Sequence, residues 1–215
     1  MLLTVDSVSK TYPGGRPVLQ DLSLTLEAGE TLALTGESGS GKSTLLNLAG
    51  ALDHFDAGEI RLDGRTYSGL GDSGRAALRR DQVAIIFQQY NLVPSLNVGQ
   101  NISLHARMAG RTNGAALDQM VDRLGLADLL ERYPEQLSGG QQQRVAIGRA
   151  MAVAPKLLLA DEPTGNLDET ASQTVMEELL ALVRDSHTAL LLVTHSHDIA
   201  GQLDRRAHLT HGKIT

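Results

Sequence analysis

The chain has 215 residues, 41% hydrophobic, 20% charged and 3% aromatic, with a formal charge of −6 and no cysteine. That length builds one sizeable core rather than two independent domains, and the composition is that of a globular protein, not a disordered or fibrous one. Lack of cysteine excludes a disulfide framework, thiol catalysis and a Cys-based zinc site, while the acidic balance and scarce aromatics argue against nucleic-acid binding through a broad basic or base-stacking face.

Leu2 to Tyr12 and Val18 to Leu26 predict two strands joined by a turn at Pro13-Gly14-Gly15, where residues suited to tight backbone geometry break the alternation. Met1 to Val8 lacks the basic start and apolar stretch of a signal peptide. Thr31 to Thr35 is a short apolar strand running into a glycine-rich loop, with helical character from Ser43 to Ala49. Arg75, Arg79 and Arg80 read as the solvated face of a helix. Continuous apolar runs at Val83 to Phe87, Leu157 to Ala160 and Ala189 to Val193 predict parallel strands covered on both faces. Between the first two of these runs, Asn91 to Ala154 carries helical patterns at Ala115 to Leu124 and Gln141 to Met151, which predicts an inserted helical lobe. Glu169 to Arg184 is a further amphipathic helix, and Ala207 to Thr215 a short hairpin turning at His211-Gly212. No apolar run approaches the roughly 20 residues that span a bilayer, so the chain is expected in the cytoplasm, reaching a membrane only through a partner.

Gly36-Glu37-Ser38-Gly39-Ser40-Gly41-Lys42-Ser43 fits the phosphate-loop pattern, after a strand and before a helix as the chemistry requires. Its glycines let successive N–H groups turn toward phosphate oxygens, and the helix N-terminus adds partial positive charge. Lys42 is placed to reach the β- and γ-phosphates, and the Ser43 hydroxyl to ligate Mg²⁺. The apolar strand Leu157 to Ala160 ends in Asp161 and Glu162. Asp161 is where a magnesium-organising carboxylate belongs, and Glu162 is placed to polarise the water that attacks the γ-phosphate. Leu137-Ser138-Gly139-Gly140-Gln141 precedes a helix, so the Ser138 hydroxyl and glycine amides make a second anion site; alone, Ser138 would read as an ordinary N-cap.

In this order the motifs resemble the ATP-binding subunit of an ABC transporter over essentially the whole chain. The resemblance implies an α/β fold: a phosphate-loop NTPase core of the RecA-like kind with an N-terminal antiparallel β-layer and an inserted helical subdomain. It implies one domain, residues 1–215, with core 1–90 and 153–215 and helical part about 91–152. ATP and Mg²⁺ are the implied cofactors. Residues 36–43 with Thr44 behind them hold the nucleotide, and Tyr12 resembles the aromatic that stacks on adenine, the alternative being an edge-strand aromatic. Two copies are implied to pair head to tail, Ser138, Gly139, Gly140 and Gln141 of one facing the ATP of the other, with Asp168 in the Gly165-Asn166-Leu167-Asp168 loop communicating across the pair. Gln88 resembles the glutamine that reaches Mg²⁺ and water. His195 resembles the histidine that contacts the γ-phosphate, with His197 as its rival and the other five histidines read as surface residues.

Gln88 to Ile102 and the string Leu137 to Arg144 further resemble the MacB/LolD/FtsE-type lipoprotein-release and macrolide-export branch, with an importer subunit or a soluble ABC ATPase as alternatives. The implied partners are a second copy and an integral-membrane permease, with no nucleic acid. Tyr90 to Leu96 places apolar residues on a loop and is the expected socket for a cytoplasmic helix of that permease.

Overall fold

The computed structural model describes residues 1–111 and 114–215. β1 (Leu3–Thr11) and β2 (Pro17–Leu26) pair antiparallel, and β3 (Thr31–Thr35) leads through the glycine-rich loop into α1 (Lys42–Ala49). β4 (Ala57–Leu62) and β5 (Arg65–Thr66) join the opening hairpin in a four-stranded antiparallel layer ordered β2-β1-β4-β5. α2 (Asp72–Asp81) then leads to β6 (Val83–Ile86). Helices α3 (Val98–Met108), α4 (Gly114–Arg123) and α5 (Gly139–Met151) occupy the stretch before β7 (Leu157–Asp161). α6 (Glu169–Asp185), β8 (Ala189–Val193), the short α7 (His197–Ala200) and the hairpin β9 (Arg205–Thr210) with β10 (Lys213–Ile214) complete the order.

The second sheet runs β10-β9-β3-β8-β7-β6, parallel from β9 through β6. Successive strand residues point to opposite faces, and the burial follows that period. Leu158, Ala160, Leu190 and Leu192 face the core shared with the helices, whereas Leu157, Leu159, Leu191 and Val193 face α1 and the antiparallel layer. Both faces are therefore dry, which is why these strands read as unbroken apolar runs. No helix among the described residues is long and apolar enough to cross a membrane.

The helical stretch is started by a motif the sequence states openly. Asn97 caps α3 by accepting from the Gln100 N–H at 2.8 Å, while the Gln100 side chain accepts from the Asn97 N–H at 3.0 Å. Behind this cap the loop after β6 is clamped. Buried Asn101 accepts from Val93 N–H and donates to Val93 and Leu96 carbonyls, and buried Arg149 of α5 donates to the Tyr90 and Asn91 carbonyls.

Two expectations are corrected here. Arg75 is buried, not solvated: its guanidinium donates to the Leu70 and Asp53 carbonyls, and Arg79 donates to the Ala51 carbonyl. Arg80 alone behaves as expected, pairing with Asp81 at the surface. The loop Tyr90 to Leu96 is not an exposed apolar patch either, because Leu92 packs against the helical core and Leu96 is half-buried. A loop held by two buried polar side chains is drawn onto the lobe, and its apolar residues go with it.

Candidate functional site

All parallel strands present their C-terminal ends along one edge, which in open α/β sheets is where ligands bind. Register makes the residues neighbours: Leu34 of β3 and Asp161 of β7 both pair with Val193 of β8. The loop after β3, the two acids after β7 and Thr194-His195 after β8 thus converge, with Gln88 beyond the end of β6.

The phosphate loop has the backbone its glycines permit. Gly36 has φ 146°, and a Cβ there would lie 2.3 Å from the Leu209 carbonyl oxygen, so the loop is seated directly on β9. Gly41 caps α1 in a left-handed conformation, no side chain caps that helix, and no acid sits in its first turn. Lys42 is 6% exposed, and its Nζ donates to the carbonyls of Gly36 at 2.9 Å and Glu37 at 2.8 Å, closing the loop around the ammonium. The Ser43 hydroxyl is on an exposed residue at the same helix end, Thr44 is half-buried beside it, and Ser38 and Gly39 form the loop's exposed crest. Ser40 Oγ is buried with no hydrogen-bond partner among the described residues, which fits a position that a ligand oxygen completes.

Asp161 closes β7, and Glu162 follows with φ 46°, an uncommon conformation for a residue with a Cβ. That twist is held by the Glu162 N–H donating to the Val193 carbonyl at 3.0 Å. Its carboxylate Oε1 lies 2.9 Å from His195 Nε2. The geometry thus sets His195 against Glu162, while His197 begins α7 as an exposed residue. Gln88 is exposed, and its carbonyl accepts from Asn166 Nδ2 at 2.9 Å. A Cβ on Gly165 would come within 2.8 Å of Gln88 Nε2, so the 162–168 loop and Gln88 lie against each other. Asp168 caps α6 by accepting from the Ala171 N–H at 2.9 Å.

Three predicted residues or segments stand apart from this edge. Tyr12, 40% exposed, follows β1 on the antiparallel layer, where its hydroxyl donates to Asp53. Burial raises the Asp53 carboxyl, yet the His54 amide and the Lys10 and Tyr12 donors outweigh it and hold it below the usual carboxylate range. Ser138 caps α5: it accepts from the Gln141 N–H at 3.3 Å, and the Gln141 side chain accepts from the Ser138 N–H at 2.9 Å. Gly139 leaves room for the Tyr90 hydroxyl, 2.9 Å from where a Cβ would sit, and Gly140 is half-buried next to it. Asp168 serves its own helix.

Sequence reasoning missed Asn101, Arg149, Lys10 and Asp53, polar residues whose partners are backbone carbonyls or residues far along the chain. A buried polar residue inside an amphipathic pattern was the available signal for the first two. It also missed a groove of about 340 Å³ between α2 and α3, lined by Leu52, Arg79, Ile85, Phe87, His105 and Met108. Leu52 and Met108 on its rim are 45% and 71% exposed.

Comparison with known proteins agrees with this fold. A family model described as ABC transporter matches residues 19–165. The lipoprotein-releasing system ATP-binding protein LolD of Maricaulis maris is 44% identical over all of this chain and 96% of its own length. The probable syringafactin export ATP-binding/permease protein SyfD of Pseudomonas syringae pv. syringae is 43% identical over 99% of this chain, which matches 33% of that longer protein. Among solved structures, a dimeric post-hydrolysis state of the ATP-binding cassette MJ0796 bound to ADP and Pi superposes with a TM-score of 0.88 at 34% identity, covering 99% of this chain and 96% of that one.

Proposed function

The chain belongs to the ABC transporter family as an ATP-binding and ATP-hydrolysing subunit, and from that premise we propose how its residues divide the work. The carrying observation is the Glu162–His195 contact at the strand edge that also bears the phosphate loop. Loop amides and Lys42 receive the phosphates of ATP, which displace the Gly36 and Glu37 carbonyls from the ammonium. Glu162 polarises the attacking water, and His195 holds its carboxylate in line and contacts the γ-phosphate.

The donor set fits Mg²⁺, because the Ser43 hydroxyl, the Asp161 carboxylate and the Gln88 amide oxygen are hard ligands. Ser43 and Gln88 would hold the ion directly and Asp161 through water; bound there, it neutralises charge on the β- and γ-phosphates. The site is completed in a head-to-tail homodimer, where Ser138 to Gln141 and Asp168 of one copy meet the nucleotide of the other. That arrangement gives an otherwise ordinary helix cap a ligand.

The output is passed to an integral-membrane permease, and likeness to a lipoprotein-releasing ATPase supports lipoprotein release or a related export step at the cytoplasmic face of the membrane. The groove between α2 and α3, with its exposed Leu52 and Met108, is a better socket for a permease helix than the clamped Tyr90 to Leu96 loop. Gln88 and that loop join the 162–168 segment to α3 and α5, so closure around ATP moves the lobe against the core. Leu52→Ser with Met108→Ser should leave ATP binding by the purified chain unchanged. The same pair should weaken co-purification with the permease and remove permease-dependent stimulation of hydrolysis. Normal assembly and stimulation would move the socket elsewhere.

A further inference from the structure

Tyr12 is more elaborately held than an exposed edge aromatic requires. Its hydroxyl donates to Asp53 Oδ2 at 2.9 Å, and Asp53 belongs to the segment that links the phosphate-loop helix to β4. The other oxygen, Oδ1, accepts from Lys10 Nζ at 3.1 Å. That ammonium is on a residue only 8% exposed, donates also to the His54 carbonyl, and lies 4.8 Å from the centroid of the Tyr12 ring. Asp56 ties the same two segments together again, accepting from the Thr11 N–H at 2.6 Å while its own N–H donates to the Ser9 carbonyl at 2.9 Å. Arg75 and Arg79 of α2 also hold this segment, donating to the carbonyls of Asp53 and Ala51 at 2.5 and 2.6 Å.

We propose that Asp53 and Lys10 are positioning residues that hold the Tyr12 ring at a fixed angle as the platform for the nucleotide base. The proposal rests on the reading that Tyr12 stacks on adenine. A half-exposed aromatic free to turn must be ordered when a base arrives, and that ordering weakens binding by about three- to tenfold. Here the ring is ordered beforehand, one end pinned by a carboxylate. Lys10 covers part of the ring surface as a cation, which leaves the uncovered side for the purine. Because Asp53 continues from α1, the base platform and the phosphate loop are set at opposite ends of one short helix, and their separation is fixed before ATP binds.

The pin acts on the base alone. Variants that release it should therefore raise KM and Kd for ATP with little change in kcat, and leave the affinity for inorganic triphosphate as it was. Tyr12→Phe keeps the ring and removes the hydroxyl; Asp53→Ala removes the acceptor. Each should weaken ATP by about three- to tenfold, and the double variant should be no worse than either single one. Tyr12→Ala serves as the reference for stacking itself. If Tyr12→Ala binds ATP like the parent, the stacking reading fails and this proposal with it. If Tyr12→Ala is weakened while Tyr12→Phe and Asp53→Ala are not, stacking stands and the positioning role is wrong. Equal loss of ATP and triphosphate affinity in Asp53→Ala would show that Asp53 acts on the phosphate loop instead. Should Asp53→Ala fold poorly, Tyr12→Phe, altered only at the surface, decides the matter by the same measurements.

Discussion

Two helix N-termini in this chain carry glycine-rich lead-ins suited to anions, and they are finished in opposite ways. α1 begins at a left-handed glycine with no side chain capping it, so its first amides are left for a ligand. α5 begins with a reciprocal box in which Ser138 and Gln141 satisfy each other's backbone donors. One end is unfinished without phosphate, and its ammonium is parked on its own loop carbonyls. The other is stable by itself: the Ser138 oxygen accepts from the Gln141 N–H, and its hydroxyl proton is left to donate to a phosphate. On the proposed reading, the first end takes the tight grip on ATP and the second makes a later, closing contact.

The largest effect should come from the chemistry beside the open end. Glu162→Gln keeps the shape of the side chain and loses the base, so hydrolysis should fall by roughly 10² or more while ATP still binds. The variant should accumulate as an ATP-bound dimer by light scattering or gel filtration, and near-normal turnover would remove Glu162 from the role. A smaller effect separates the two ends directly. Mixing Ser138→Arg with Lys42→Ala chains puts both lesions in one composite site and leaves the other whole. The mixed dimer, with one intact site, should show a partial defect in ATP-dependent association while either homodimer shows a full one; equal loss in all three would break the head-to-tail assignment.

The smallest effect measures how much of Ser138 is cap and how much is ligand. Ser138→Ala should cost about 1 kcal/mol, lowering Tm by roughly 2–4 °C, because an N-cap is lost. Ser138→Asn keeps a good cap and should hold Tm near the parent value, yet still impair ATP-driven dimerisation, since an amide replaces the hydroxyl. If the Asn variant dimerises normally, Ser138 is a cap and nothing more.

Most of the chemistry was legible because it is written in consecutive residues. A phosphate loop, two acids at a strand end and a serine-glycine helix start each need one type at one spacing, and the strands between them are continuous apolar runs. β4 and β5 were not read, since they are short and glycine-flanked, and of the strongly polar α2 only its arginine-bearing part was read as helix. Arg75 illustrates the physical limit. An arginine reaching back to a carbonyl of a preceding loop looks, in sequence, the same as one extended into water. Lys10, Tyr12 and Asp53 are joined across some forty positions, and no local period records such a meeting. Asn97 and Gln100 were legible as a capping box and passed unread because their helix follows a proline-containing loop. His195 and Glu162 were placed separately by motif; only the fold puts them in contact.

The place of β3 in its sheet has a consequence for the birth of the protein. Its neighbours are β8 and β9, and the Thr31 and Thr35 side chains bond to Asp204 and the Ala207 carbonyl, 173 and 172 residues further along. Gly36 likewise rests on the Leu209 carbonyl. At the usual pace of synthesis, the strand that launches the phosphate loop waits on the order of ten to thirty seconds on the ribosome for both its neighbours. During that interval both edges of this apolar strand are unpaired. A nascent chain of this topology cannot retain ATP until β9 has emerged, so the ability to hold the nucleotide marks a closed sheet.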